Sequence, residues 1–280
     1  MENNSKSSDI ISVPSIQHNV VSCLLSGAVL NLGNAQHEGK RPYQEDSFGF
    51  SDIAQEKTGK KGILAVLADG MGGLSNGKQV STAVVNALIE WFNDDNTVCE
   101  NSVDVKRAVE TINDDIARSY SSDGRVTAGS TLSAVLIRDD EMSWLCVGDS
   151  RVYLKRDGKL YRVNEDHDLL NDLLEMYIDG KSELSAAFGN VQKDGLVNCI
   201  GKPRITNFDY NKKTFRLYDG DTVVICSDGV YNAFTAEEFN GLIKGSAMEC
   251  ASEIRDTVLS KNFVNQDNLT VLVLSYKQIG

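Results

Sequence analysis

The sequence predicts an α+β sandwich built on antiparallel sheets, and three observations carry that prediction. Blocks of strand-forming residues are separated by blocks of helical periodicity, without the regular strand–helix–strand alternation of a parallel sheet. With 280 residues, 41% of them hydrophobic and only three prolines, the chain can bury one large core and offers no Pro-rich linker at which to divide. Asp157-Gly158 stands between two strand-like runs, the pattern of a two-residue hairpin turn.

Taken in order, residues 1–18 are polar and read as a flexible tail ahead of a single domain at 19–280. The run "VVSCLLSGAVL" is too short to span a membrane, which takes about 20 apolar residues. Glu2, Lys6 and Asp9 before it do not make the basic cluster of a signal peptide. Residues 20–32 are therefore expected as the first strand. "ILAVLADGMGG" is an apolar strand ending in a carboxylate and glycines. Val80, Val84, Ala87, Leu88 and Trp91 then recur at helical spacing, as do Val105, Ala108, Val109, Ile112 and Ile116, with Ser102 as a cap. Runs at 131–138, 142–147, 151–155 and 159–163 read as one antiparallel meander. Residues 164–195 are mixed and polar and suit a helix plus a surface flap at about 168–195. Strands are expected again at 196–200, 213–217 and 222–226. Two helices follow, opened by the capping boxes Thr235/Glu238 and Ser246/Glu249. "NLTVLVLSY" closes the chain as a buried strand.

Forty acidic against 28 basic residues give a net charge of −12, which argues against nucleic acid as a partner and favours cations. Six cysteines are scattered without the close pairs of a zinc site and read as reduced core residues of a cytosolic protein; Cys226 is a packing residue, not a nucleophile. The carboxylates are more telling. Glu45 and Asp46 head one strand, Asp69 and Asp228 end two others at Asp-Gly steps, Asp149 lies in a Gly-Asp-Ser hairpin, and Asp267 precedes the last strand. Two unit charges about 4 Å apart repel by roughly 4 kcal/mol at an effective dielectric of 20, so acids that meet at strand ends need cations. Oxygen ligands without nearby His or Cys make Mg²⁺ and Mn²⁺ the candidates, with Ca²⁺ the less favoured alternative. Gly70 can turn sharply and offer its carbonyl.

Arg41-Pro42-Tyr43-Gln44-Glu45-Asp46, Asp69-Gly70-Met71-Gly72-Gly73, Gly129-Ser130-Thr131, Gly148-Asp149-Ser150-Arg151, Asp166-His167, Ser227-Asp228-Gly229 and Asp267-Asn268 resemble, in order, the motifs of the metal-dependent (PPM, type 2C) protein serine/threonine phosphatases, in a bacterial-like form. The resemblance runs from about residue 31 to 276. It implies a four-layer α-β-β-α sandwich, two antiparallel sheets flanked by helices, with a two-metal centre at one edge. It further implies Asp46, Asp69 with the Gly70 carbonyl, Asp228 and Asp267 as ligands of two Mg²⁺ or Mn²⁺ ions, Asp69 bridging them. Glu45 would act through water and Asp149 would hold a weaker third ion. Arg41 would hold the phosphate while a metal-bridging water attacks phosphorus. The implied substrates are phosphoserine and phosphothreonine proteins of a serine/threonine kinase, met by a cytoplasmic monomer without nucleic-acid or membrane partners.

The chain departs from that pattern at Met71, where some members carry a histidine thought to protonate the leaving oxygen; methionine cannot, which leaves a metal-bound water. Gln44 replaces a frequent Asn, and the flap matches no usual bacterial segment. His167 is expected to be structural, and His18 and His37 receive no role. Two other classes compete: a catalytically weak member serving as a phosphoprotein-binding module, which would show a lost ligand, and an aspartyl-phosphate hydrolase, which would show two aspartates separated by one residue after its first strand. "VLADGMGG" has no such pair.

Overall fold

Ile63–Ala68 buries all six of its residues, which a strand can do only with a layer on each face. The computed structural model describes residues 21–25, 27–51, 62–72, 76–122, 125–188, 190 and 195–279. The expected tail at 1–18 with His18, Gly73 of the glycine turn, and Gly189 with 191–194 of the flap lie outside them.

Along the chain come β1 (Val21–Leu25), β2 (Ala28–His37), β3 (Ser47–Phe50), β4 (Ile63–Ala68), β5 (Gly70–Met71), α1 (Asn76–Asn93), α2 (Ser102–Tyr120), β6 (Ser121–Ser122), β7 (Arg125–Val126) and β8 (Gly129–Ser130). Next are β9 (Leu132–Arg138), β10 (Glu141–Val147), β11 (Arg151–Arg156), β12 (Lys159–Arg162), α3 (Leu169–Ile178), α4 (Leu184–Phe188), β13 (Asp209–Tyr210) and β14 (Phe215–Arg216). The chain ends with β15 (Thr222–Cys226), α5 (Asp228–Tyr231), α6 (Ala236–Leu242), α7 (Ala247–Ser260) and β16 (Leu269–Gln278). One sheet runs β1-β2-β16-β15-β11-β12 and the other β13-β10-β9-β4-β3, with β14 also on β10. Every pairing among them is antiparallel.

Strand alternation sorts the apolar residues into three layers. Ile63, Ala65 and Leu67 of β4 meet Val223, Ile225, Leu272 and Leu274 of the opposite sheet. Leu64, Val66 and Ala68 face Val80, Val84, Leu88 and Val109 of α1 and α2. On the far side, Val224, Cys226, Val271 and Val273 pack on Phe239, Ile254 and Val258 of α6 and α7. This is the four-layer α-β-β-α sandwich. Both capping boxes are formed, Thr235 with Glu238 and Ser246 with Glu249. Asp157 and Gly158 take φ of 51° and 74°, as a two-residue hairpin with two positive-φ residues requires. Among the described residues no helix is long and apolar enough to cross a membrane.

Four expectations change. The expected strand at 20–32, of which Val20 and Ser26 lie outside the described residues, is instead a hairpin of β1 and the start of β2, with Gly27 at φ 82° and Val21 opposite Leu32. The meander is two hairpins: β9 and β10 lie in one sheet, β11 and β12 in the other, so Gly148-Asp149-Ser150 carries the chain between sheets. Residues 196–200 make only isolated bridges, Asp168 with Leu196 and Ser130 with Ile200. The α2 cap is Asn101, whose side chain accepts from Val103 N at 2.9 Å; Ser102 is already helical and donates to Asn211 O. Sequence periodicity also passed over α5, a single turn that begins at Asp228 itself.

Candidate functional site

The five aspartates stand at strand ends: Asp46 before β3, Asp69 after β4, Asp149 after β10, Asp228 after β15 and Asp267 before β16. The first three are carried by one sheet and the last two by the other, so the cluster lies across the seam between the sheets.

Asp46 is fully buried; its Oδ2 accepts from Thr270 Oγ1 at 2.6 Å and Ser227 Oγ at 2.9 Å. Its Oδ1 is buried without a hydrogen-bond partner, as is Oε1 of the neighbouring Glu45. Burial pushes the Asp46 carboxyl up to about 6 against the pull of the two hydroxyls. Asp69 is held well above the usual carboxylate range by burial and then by the charges of Asp46, Asp228, Asp149 and Asp267. Burial and the Asp267 charge push Asp228 up to about 6; burial, Asp228 and Asp166 push Asp149 up to about 7. The structure thus brings all five into one electrostatic neighbourhood. Among the described residues, however, no three His, Cys, Asp or Glu side chains already stand as a ready-made ligand set. Asp267 explains part of this: its Oδ2 accepts from Arg41 Nη2 at 2.6 Å and its Oδ1 from Asn268 N at 2.8 Å.

Local packing shows why these segments sit so close. Gly70 is buried, and a Cβ there would meet Gly77 O at 2.3 Å and Glu45 O at 2.7 Å. Its glycine serves close backbone approach rather than the sharp turn expected of it. The Gly129-Ser130-Thr131 motif grips the Asp69 backbone: Asp69 N donates to Thr131 Oγ1 at 2.9 Å, and Asp69 O accepts from Thr131 N at 2.8 Å and Ser130 Oγ at 2.9 Å. Gly148 (φ 101°) exchanges two bonds with His167, which is buried; Gly148 N donates to Nδ1 at 3.1 Å and His167 N to Gly148 O at 3.0 Å. Burial holds the imidazole pKa below its usual value. Cys226 is likewise fully buried.

Three positioning residues escaped the sequence reading. Lys78 Nζ, on the first turn of α1, donates to Asp46 O at 2.6 Å and Ser47 Oγ at 3.0 Å, beside Ser81 Oγ on Glu45 O at 2.5 Å. Asn268 accepts from Glu45 N at 2.8 Å and donates to Glu38 O and Tyr43 O at 2.9 Å each, shaping the loop that carries Arg41. Arg151 lies 3.6 Å from the Tyr231 ring centroid and grips the buried Asp166, its Nη2 at 2.7 Å. The motifs contained Asn268 and Arg151 but gave neither a role. Lys78 had no signal beyond a polar position on α1.

Acids gathered at strand ends across the seam of an α-β-β-α sandwich fit the architecture of metal-dependent phosphatases. The family model described as Protein phosphatase 2C matches residues 35–264, and the chain belongs to that family. It is a protein serine/threonine phosphatase. It is similar to the serine/threonine phosphatase stp of Listeria monocytogenes, 27% identical over 240 residues that cover 84% of this chain and 90% of the relative. Protein phosphatase PhpP of Streptococcus pneumoniae is 28% identical over 243 residues, covering 82% of this chain and 96% of the relative. Among solved structures, the Mycobacterium tuberculosis phosphatase PstP/Ppp superposes with a TM-score of 0.70 at 25% identity, covering 89% of this chain and 99% of that one. The PstP catalytic domain in complex with two manganese ions superposes with a TM-score of 0.69 at 25% identity, covering 90% of this chain and all of the other.

Proposed function

We propose that this chain hydrolyses phosphoserine and phosphothreonine in proteins phosphorylated by a serine/threonine kinase, using two Mg²⁺ or Mn²⁺ ions and a weaker third. The carrying observation is the pair of orphaned buried oxygens, Asp46 Oδ1 and Glu45 Oε1, amid aspartates whose pKa values are raised by burial and mutual repulsion. Hard oxygen donors short of positive charge suit a hard divalent cation. Asp46, Asp69, the Gly70 carbonyl, Asp228 and Asp267 would hold the two ions, Glu45 acting through water and Asp149 serving the third. When bound, the cations supply the Lewis acidity that makes water nucleophilic at neutral pH and neutralises phosphoryl charge. The two-manganese complex of PstP supports the same reading.

The chain's own residues do the rest. Thr270 and Ser227 fix one oxygen of Asp46 and leave the other buried and without a hydrogen-bond partner. Arg41, exposed at the rim, carries guanidinium donors beyond the one it places on Asp267, and its planar fork matches two phosphoryl oxygens. Met71 has no proton to give, so the side chain at that position leaves the alkoxide to water. Turnover of p-nitrophenyl phosphate and a phosphothreonine peptide with Mn²⁺, abolished by chelator, tests the reading. Peptide binding without turnover would mark a binding module instead.

Arg41→Ala is expected to raise KM for a phosphopeptide about tenfold while lowering kcat less, with Arg41→Lys recovering part of the loss. An unchanged KM would place Arg41 outside the site. Asp149→Ala should keep the fold but lower turnover and move the metal-activation midpoint to severalfold higher concentration, because a lone carboxylate repays little of a cation's dehydration. The same midpoint in variant and wild type would leave Asp149 a turn residue only.

A further inference from the structure

Next to Arg41, the C-terminal end of α7 and the turn after it enclose a pocket of about 180 Å³. Val258, Leu259 and Phe263 form its apolar wall, and Lys40 and Gln266 its other side. Lys40 and Gln266 are the chain neighbours of Arg41 and Asp267, and Lys40 N donates to Gln266 O at 2.8 Å. The pocket is therefore joined through one backbone bond to the Arg41–Asp267 pair.

Backbone contacts and the buried Gln266 fix part of its wall. Gly39 takes φ of 65° where a Cβ would meet Asp267 O at 2.2 Å, so the loop lies flush on the strand end. Gln266 is 6% exposed and donates to Gly229 O at 2.9 Å. Asn262 N donates to Leu259 O at 3.1 Å and closes the helix end. Of its apolar wall, Phe263 stays 42% exposed, and Val264, next to it in the chain, is 87% exposed. A small hollow with one apolar wall, lined on its other side by the residue that precedes Arg41, has the form of a side-chain subsite.

We propose that this pocket receives an apolar side chain of the substrate protein, one or two residues from the phosphorylated serine or threonine. An extended peptide advances about 3.3–3.6 Å per residue, so a side chain that close to a phosphate on Arg41 reaches the wall that begins at Lys40. The inference rests on the reading of Arg41 as the phosphate holder, and it makes the enzyme selective for sequence beside the phosphoresidue.

Two phosphothreonine peptides of equal charge test it, one with leucine at the first and second positions on either side of the phosphothreonine and one with glycine there. Wild type should favour the leucine peptide about tenfold in kcat/KM, carried by KM, which is about 1.4 kcal/mol. Phe263→Ser should bring that ratio close to one, and Phe263→Leu should restore most of it. Equal rates on both peptides in the wild type, an unaltered ratio in Phe263→Ser, or an equal fall in kcat for both peptides would overturn the proposal. So would sedimentation showing a dimer that Phe263→Ser dissociates, since a second copy would then cover the wall. Failure of the wild type to hydrolyse p-nitrophenyl phosphate with Mn²⁺ is a separate result, which removes the phosphatase reading itself.

Discussion

Asp69→Asn and Asp228→Asn each yield a folded protein whose turnover of p-nitrophenyl phosphate at moderate Mn²⁺ falls at least about a thousandfold. A neutral amide oxygen is a poor ligand for a hard cation, and metal-supplied charge stabilisation accounts for several kcal/mol of barrier lowering. The same variants separate lost chemistry from lost fold. Without metal, Asp69 is a carboxyl pressed by four like-charged neighbours, so its replacement removes repulsion. The metal-free variants should melt no lower than the metal-free wild type at pH 8. Wild-type rates in either variant would refute the two-cation assignment, and early melting would shift the explanation to folding.

The second large effect couples pH and metal. Asp46 and Asp228 titrate near 6 and Asp149 near 7 in the folded chain, against about 3.9 when unfolded. The folded state therefore binds more protons between about pH 4 and 7. The stability these groups contribute is full below about pH 4 and is lost as pH rises through 6 to 7. Chelated protein should melt lower at pH 8 than at pH 5.5. On the proposed assignment divalent cations take the place of those protons: Mn²⁺ at about 100 times its Kd should add about 2.7 kcal/mol and raise Tm at pH 8 by roughly 5–10 °C. At pH 5.5 protons compete and the gain should be smaller. A Tm indifferent to Mn²⁺ at both pH values would refute the assignment.

Local chemistry was legible in the sequence wherever one residue decides the outcome. The capping boxes at Thr235 and Ser246 and the Asp157-Gly158 turn could be read directly, because their geometry is fixed within four residues. The acids could be read as a group, because a carboxylate at the end of an apolar run conflicts with its surroundings unless something shares it. Which sheet each strand joins could not be read. β10 and β11 are apolar runs three residues apart, and nothing local distinguishes a hairpin from the crossing that Gly148, at φ 101°, makes. The positioning residues were hidden for the same reason. Lys78 lies 32 residues from Asp46 and Asn268 lies 223 from Glu45, distances that only the fold closes.

Asp46 also has a mechanical meaning. The two sheets are plates held face to face by apolar side chains, an adhesive that resists separation but sets no fixed alignment, because apolar attraction has no direction. Hydrogen bonds have direction. One carboxylate oxygen from the first plate, pinned by Ser227 and Thr270 of the second, acts as a dowel at that edge and stops the plates from sliding past each other. The spacing of the clustered acids is then defined by the same peg that aligns the plates, so shear across the sandwich is felt first as misregistered acids.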